Sequence, residues 1–217
     1  MILVVSPHPD DAEIALGAAM SRWTKEGRRV VIAVMAGEGD LLMTHSNSLI
    51  PFETRKEEQR KAAATLGVEV IFLDIAPASR FDTVPMGMFV QALDELMGRA
   101  TEVYLPLPSY NIDHEVVFKA GLAALRPGKA GHVKSYLYEQ PQNAHGSQVH
   151  GQIAGKKYIV VSGYDGQKQT QAILCHASQV RGREDEMTGN VKSLLRTRGY
   201  EAGAHMATMV YPLREVV

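Results

Sequence analysis

The chain has one cysteine, Cys175, in 217 residues. That excludes an intrachain disulfide and any multi-cysteine zinc knuckle. Positive charge is not in excess: 23 Lys and Arg stand against 24 Asp and Glu. With no basic run, nothing in the charge pattern points to nucleic acid or an anionic membrane surface as a partner. No apolar run approaches membrane-spanning length, and the opening residues lack a charged n-region, an apolar h-region and a cleavage site, so a cytoplasmic protein without a membrane span is expected. A glycine-rich dinucleotide fingerprint is also missing after the first apolar run, where two prolines stand instead, and a nicotinamide cofactor is discounted. Internal repeats and low-complexity tracts are absent.

What is present is an ordinary globular composition, 45% hydrophobic and 22% charged, in a chain long enough for a substantial core. It is read as one α/β domain over residues 1–217. Apolar runs at Ile2–Val5, Arg29–Met35, Val68–Leu73, Glu102–Leu105 and Val133–Tyr138 read as strands. Helical spacing at Ala12–Lys25, Phe52–Leu66, Met86–Met97 and His114–Leu125 separates them. The alternation predicts right-handed crossovers and a Rossmann-like, doubly wound, mostly parallel sheet with helices on both faces. Further on, Gln167–Arg181 and Glu186–Arg198 read as helices, and Tyr158–Ser162 and Ala207–Tyr211 as strand candidates. Asp40–Pro51 and Pro141–Gly155 read as polar surface loops, the second a mobile one, with His45, His145 and His150 solvent-exposed or lid-borne.

The richest stretch is Ser6-Pro7-His8-Pro9-Asp10-Asp11-Ala12-Glu13, where the first strand hands over to the first helix. The prolines fix two φ angles and bias their predecessors toward extended geometry, so the loop is stiff before anything binds. His8 and Asp11 suit a divalent metal such as zinc, which takes imidazole nitrogen and carboxylate oxygen. Adjacent Asp10 and Asp11 need not point the same way, so one can ligate while the other stays free as a base. The rival reading, a strand-end turn with a helix-capping Asp, explains neither His8 nor the prolines.

In a doubly wound sheet, ligands sit beyond the carboxyl ends of the strands where strand order reverses. The first and fourth strands flank that point, and the fourth is followed by Ser109-Tyr110-Asn111-Ile112-Asp113-His114. His114 is therefore expected in the same crevice as His8 and Asp11. Two histidines and a carboxylate would then hold an ion with open positions, and Asp113 would accept a hydrogen bond from His8 or His114 and fix its tautomer.

These two loops resemble the LmbE-like, or PIG-L, family of metal-dependent N-deacetylases. So do Arg55 and Glu58 with Ala62 and Leu66-Gly67 in the second helix, and Ala172-Ile173-Leu174 with His176-Ala177-Ser178-Gln179 late in the chain. The resemblance implies a Rossmann-like fold, usually zinc, and removal of an acetyl group from an N-acetylated amino sugar or glycoconjugate. It implies metal ligation by His8, Asp11 and His114, general-base action by Asp10, and contact of Arg55 with the sugar. Two positions depart from the family pattern. Asn111 stands where many members have a histidine; it can donate a hydrogen bond to an oxyanion but cannot transfer a proton. Ala204-His205-Met206-Ala207 replaces Ala-Glu-Ala-Phe, and His205 is expected to turn into the pocket and supply the missing imidazole.

The expected function is a zinc-dependent N-deacetylase, with iron, manganese or nickel also compatible with the donor set. The rivals are a metal-dependent amidase on a thiol conjugate or other amide, and a catalytically silent sugar-binding protein. Homo-oligomerisation is left open. His176 beside Cys175 is read as a polar helix residue next to a buried thiol rather than a second metal site.

Overall fold

In the computed structural model, which describes residues 1–39, 41–43, 48–141 and 155–215, the opening apolar run is strand β1 (Ile2–Ser6), buried throughout. Such unbroken apolar strands belong inside a parallel sheet covered on both faces. Its neighbours β2 (Val30–Ala36) and β6 (Glu102–Pro106) both run parallel to it. Outside β2 lies β5 (Glu69–Ala76), and outside β6 lies β7 (Lys134–Tyr138), again in parallel. Two further strands, β8 (Lys157–Val160) and β9 (Ala207–Arg214), complete a sheet of order β5-β2-β1-β6-β7-β9-β8. Helices α1 (Asp11–Lys25), α2 (Phe52–Leu66) and α6 (Gly163–Cys175) pack together, and α3 (Met86–Gly98) and α4 (Ile112–Ala124) form a second layer. Short α5 (Pro127–Ala130) and α7 (Ala177–Val180) and the long α8 (Glu184–Glu201) complete the helices among the described residues. The expected α/β architecture is present, and strand order reverses between β1 and β6, where Val4 pairs with Tyr104.

The structure departs from expectation in four places. The polar stretch after β2 contains a small antiparallel hairpin, β3 (Leu41–Met43) and β4 (Ser48–Ile50). Strand β9 runs antiparallel to both β7 and β8, so the parallel order ends at that edge. Helix α4 starts at Ile112 because the Asn111 side chain accepts the Asp113 N–H and caps it. The expected helix Gln167–Arg181 starts earlier and divides: Ser162 and Asp165 form a capping box that starts α6 at Gly163, and His176, at φ −82° and ψ 54°, separates α6 from α7. Expectations for His45, His145 and His150 lie outside the described residues. Among the described residues no helix is long and apolar enough to cross a membrane.

Candidate active site

The loop between β1 and α1 is fixed by its own side chains. Ser6 Oγ donates to the His8 carbonyl at 2.7 Å and accepts the Ala12 N–H at 3.3 Å. Asp11 Oδ2 accepts the His8 N–H at 2.9 Å. Asp10 occupies the N-cap position of α1, yet its side chain makes no capping bond. The capping explanation for the paired aspartates therefore fails. Asp10 instead adopts φ 110°, ψ −33°, a backbone conformation that costs a non-glycine residue about 1–3 kcal/mol and persists only where surroundings impose it.

From β6 arrives the second loop. His8 Nδ1 lies 3.2 Å, and His114 Nε2 3.3 Å, from the same Asp11 oxygen, Oδ2. One donor atom from each of the three residues falls within 4.8 Å of the others. Donors about 2.0–2.1 Å from a tetrahedral zinc ion stand about 3.3 Å apart, which is the spacing of Asp11 Oδ2 from each of the two imidazole nitrogens. His8 Nε2, its other ring nitrogen, lies 2.7 Å from Asp113 Oδ2. Asp113 thus holds the tautomer that leaves Nδ1 free to ligate. Asp113 is itself anchored by the N–H groups of Ser79 (2.6 Å) and Phe81 (3.1 Å) beyond β5. Burial opposes a charge on His8, but its contacts with Asp11 and Asp113 prevail and raise its pKa to about 9; an ion must compete with that proton. Burial also opposes the Asp11 charge, yet the His114 and His8 imidazoles hold its carboxyl well below the usual range.

Asp10 faces the same cavity, about 280 Å³, with His8, Asp11, Arg55, Asn111 and His114 in its wall. Burial, reinforced by the charge of Asp11, pushes its carboxyl up to about 6. Arg55 is buried and bound from behind: Nη2 donates to the Pro9 carbonyl at 2.8 Å and lies 3.7 Å from Asp10 Oδ2. Its described contacts support the loop between β1 and α1. Asn111 Oδ1 is committed to the Asp113 N–H at 3.0 Å, which leaves its NH2 as the donor available at the cavity wall. His205 does not meet its expectation. It is exposed in the turn between α8 and β9 and is not among the residues lining the cavity. The backbone decides this: a Cβ at Gly199 would lie 2.6 Å from the His205 carbonyl, so the turn is pressed against α8 and its side chain left outside.

Several residues of the site had no chemical role assigned from the sequence, although Glu58 and His176-Ala177-Ser178-Gln179 lie in stretches that resemble the family. Gln140, just beyond β7, donates to Asp11 Oδ1 at 2.7 Å. Gln59 accepts the Asp10 N–H at 3.2 Å and donates to Glu13 Oε1 at 2.6 Å. Buried His176 lies 3.7 Å from Glu13 Oε2; burial opposes its charge, but Glu13 outweighs this and its pKa is raised. Ser178 ties α7 to α2, giving its N–H and Oγ–H to the Glu58 carboxylate at 2.7 and 2.6 Å. That anchorage places Gln179 at a seam. With Asp10, it lines both the cavity above and a second one of about 360 Å³, walled by Ile14, Met187, Val191 and the Arg183–Glu186 pair.

The sequence matches the family described as PIG-L, GlcNAc-PI de-N-acetylase, over residues 3–125. None of the curated proteins matches it in sequence. Among solved structures it is similar to the zinc-inhibited form of the teicoplanin deacetylase Orf2, at 17% identity and a TM-score of 0.79, with 97% of each chain covered. N,N'-diacetylchitobiose deacetylase from Pyrococcus horikoshii aligns at 16% identity and a TM-score of 0.74, over 98% of this chain and 83% of that one. GalB, the 4-carboxy-2-hydroxymuconate hydratase from Pseudomonas putida KT2440, aligns at 19% identity and a TM-score of 0.74, over 100% and 97%. At such identities the likeness establishes the fold, and the hydratase shows that this frame serves more than one reaction.

Proposed function

The chain belongs to the PIG-L family of GlcNAc-PI de-N-acetylases, and from that premise we propose that it is a zinc-dependent hydrolase that removes the acetyl group from an N-acetylated amino sugar or its conjugate. The observation that carries the reading is the convergence of His8 Nδ1, Asp11 Oδ2 and His114 Nε2 beside an Asp10 carboxylate that caps nothing. Two deacetylases among the structural relatives support it, one of them acting in name on an acetamido disaccharide.

His8, Asp11 and His114 would hold the ion. A zinc ion in such a site supplies Lewis acidity and lowers the pKa of its water toward about 7. Asp10 accepts a proton from the attacking water as the new C–O bond forms at the acetyl carbonyl. With a pKa near 6, it is matched to taking and returning a proton around neutrality. The Asn111 NH2 donates to the carbonyl oxygen as negative charge gathers there. Asp10 then returns its proton to the amine nitrogen as the C–N bond breaks, releasing acetate and the free amino sugar. Asp113 keeps His8 in its ligating tautomer, and Arg55 steadies the loop through Pro9. The second cavity, sharing Asp10 and Gln179 with the first, favours a substrate that continues beyond the acetamido ring over a bare monosaccharide.

The test is metal analysis of the purified protein, coupled to an acetate-release screen over N-acetylglucosamine, its oligosaccharides and its lipid-, nucleotide- and peptide-linked forms. The reading expects about one ion per chain and acetate from at least one of these. A metal-loaded protein that releases a larger acid instead is an amidase of another class, and one that binds sugar without release is a silent binder; either result overturns the proposal.

A further inference from the structure

One buried group has no part in the chemistry above. His176 is 1% exposed, and among the described residues neither of its ring nitrogens has a hydrogen-bond partner. Cys175 beside it turns elsewhere, toward the Gln171 carbonyl at 3.3 Å and Thr65 Oγ1 at 3.7 Å, so the two do not converge on an ion. His176 Nε2 instead lies 3.7 Å from Glu13 Oε2, an oxygen that is also buried and has no hydrogen-bond partner among the described residues.

Glu13 is wholly buried on the first turn of α1. Among the described residues, His176 is the basic group within ion-pair distance of it. A carboxylate in such surroundings is costly unless compensated, and a single amide hydrogen bond is incomplete compensation. That one bond is the Gln59 Nε2 donation to Glu13 Oε1 at 2.6 Å, and the other end of the Gln59 amide accepts the Asp10 N–H at 3.2 Å. Four residues from the α6–α7 break, α1, α2 and the base loop thus form one line. It ends on the backbone of Asp10, whose φ of 110° needs an external hold.

We propose that His176 is a positioning residue for Asp10. By standing opposite Glu13 it keeps that carboxylate turned toward Gln59, and Gln59 in turn holds the Asp10 N–H and the backbone angle that aims the Asp10 side chain into the cavity. The proposal rests on the reading of Asp10 as the base. Replacing His176 by Leu leaves Glu13 buried without a basic partner, and Glu13 then leaves Gln59. Adding Glu13→Gln removes the charge while keeping an oxygen that can accept from Gln59.

The experiment compares zinc-loaded His176→Leu, Glu13→Gln/His176→Leu and Asp10→Asn with the parent, by metal content, kcat and KM for acetate release, and crystal structures of the variants. His176→Leu is expected to bind one ion, keep KM within about twofold and lose about 10- to 100-fold in kcat, the scale of a 1 Å misplacement. Its structure should show Asp10 released from Gln59, and the double variant should regain most of the lost kcat. An Asp10 still bonded to Gln59 at positive φ in His176→Leu overturns the proposal without any substrate. So does a kcat loss that the double variant fails to repair. If His176→Leu is fully active while Asp10→Asn is inactive, this inference alone falls; if Asp10→Asn is active, the base assignment falls with it. Should His176→Leu fail to fold, Gln59→Leu cuts the same line nearer its end, and parent-like turnover in that variant also overturns the proposal.

Discussion

Gln140 reaches from the end of β7 to donate its amide to Asp11 Oδ1 at 2.7 Å, leaving Oδ2 to face His8 and His114. The carboxylate is therefore oriented before any ion arrives, one oxygen held by an amide and the other aimed at the two imidazoles. Outer partners of this kind typically contribute 10- to 100-fold in metal affinity. Gln140→Leu should lower zinc affinity by that factor in a competition titration with a fluorescent chelator, while kcat at saturating zinc changes only a few-fold.

Asp10→Asn should keep the metal and lose turnover. The amide retains the shape of the side chain and its place beside Arg55 but accepts no proton, and general-base catalysis contributes about 10²–10⁴-fold. Metal analysis and acetate release on the same preparation check both halves.

Asn111 caps α4 and, in the proposed reaction, donates to the carbonyl oxygen, and substitution can separate the two. Asn111→Ala removes the amide donor and also the cap on α4, with a kcat loss of about 10²–10³-fold and a stability loss of about 1 kcal/mol. Asn111→Asp keeps an oxygen for the Asp113 N–H, so it should lose turnover with little change in melting temperature. His205→Ala, at an exposed turn outside the cavity, should leave kcat within about twofold.

Asp165 gives the fold a pH dependence remote from the site. Burial opposes its charge, but Lys25, Ser162 and Ser21 outweigh that and hold its pKa below the ordinary value. Its Oδ2 accepts from Ser162 N and Oγ at 2.9 and 2.6 Å, and its Oδ1 from Ser21 Oγ at 2.8 Å. A depressed carboxylate stabilises the fold above its unfolded pKa of about 3.9 and loses that contribution as pH falls through its folded value. Asp165→Asn should therefore cost about 1 kcal/mol at pH 7, with the gap to the parent closing below about pH 4 in urea unfolding.

His8, Asp10, Asp11 and His114 were legible in the sequence because their positions are set by strand ends, and strand ends follow from apolar runs. Asp113 was legible for the same reason: it immediately precedes His114 on the first turn of α4. Gln140, Gln59, Glu13 and His176 were not. Glu13 and His176 lie in stretches that resemble the family, but what any of the four touches emerges only when helices α1, α2 and α6 and strand β7 are brought side by side, and no local period reports that packing. His205 failed for the opposite reason. Its neighbours in sequence suggested a role, but Gly199 admits its backbone so closely that the turn faces outward. Antiparallel β9 and the break at His176 likewise depend on contacts distant in the chain.

The φ of 110° at Asp10 sets the fold and the reaction against each other at one residue. Glycine there would relieve about 1–3 kcal/mol of backbone strain, so Asp10→Gly should melt higher than the parent while releasing no acetate. The cost of holding aspartate at an angle that favours glycine can thus be read from a melting curve alone, without metal or substrate.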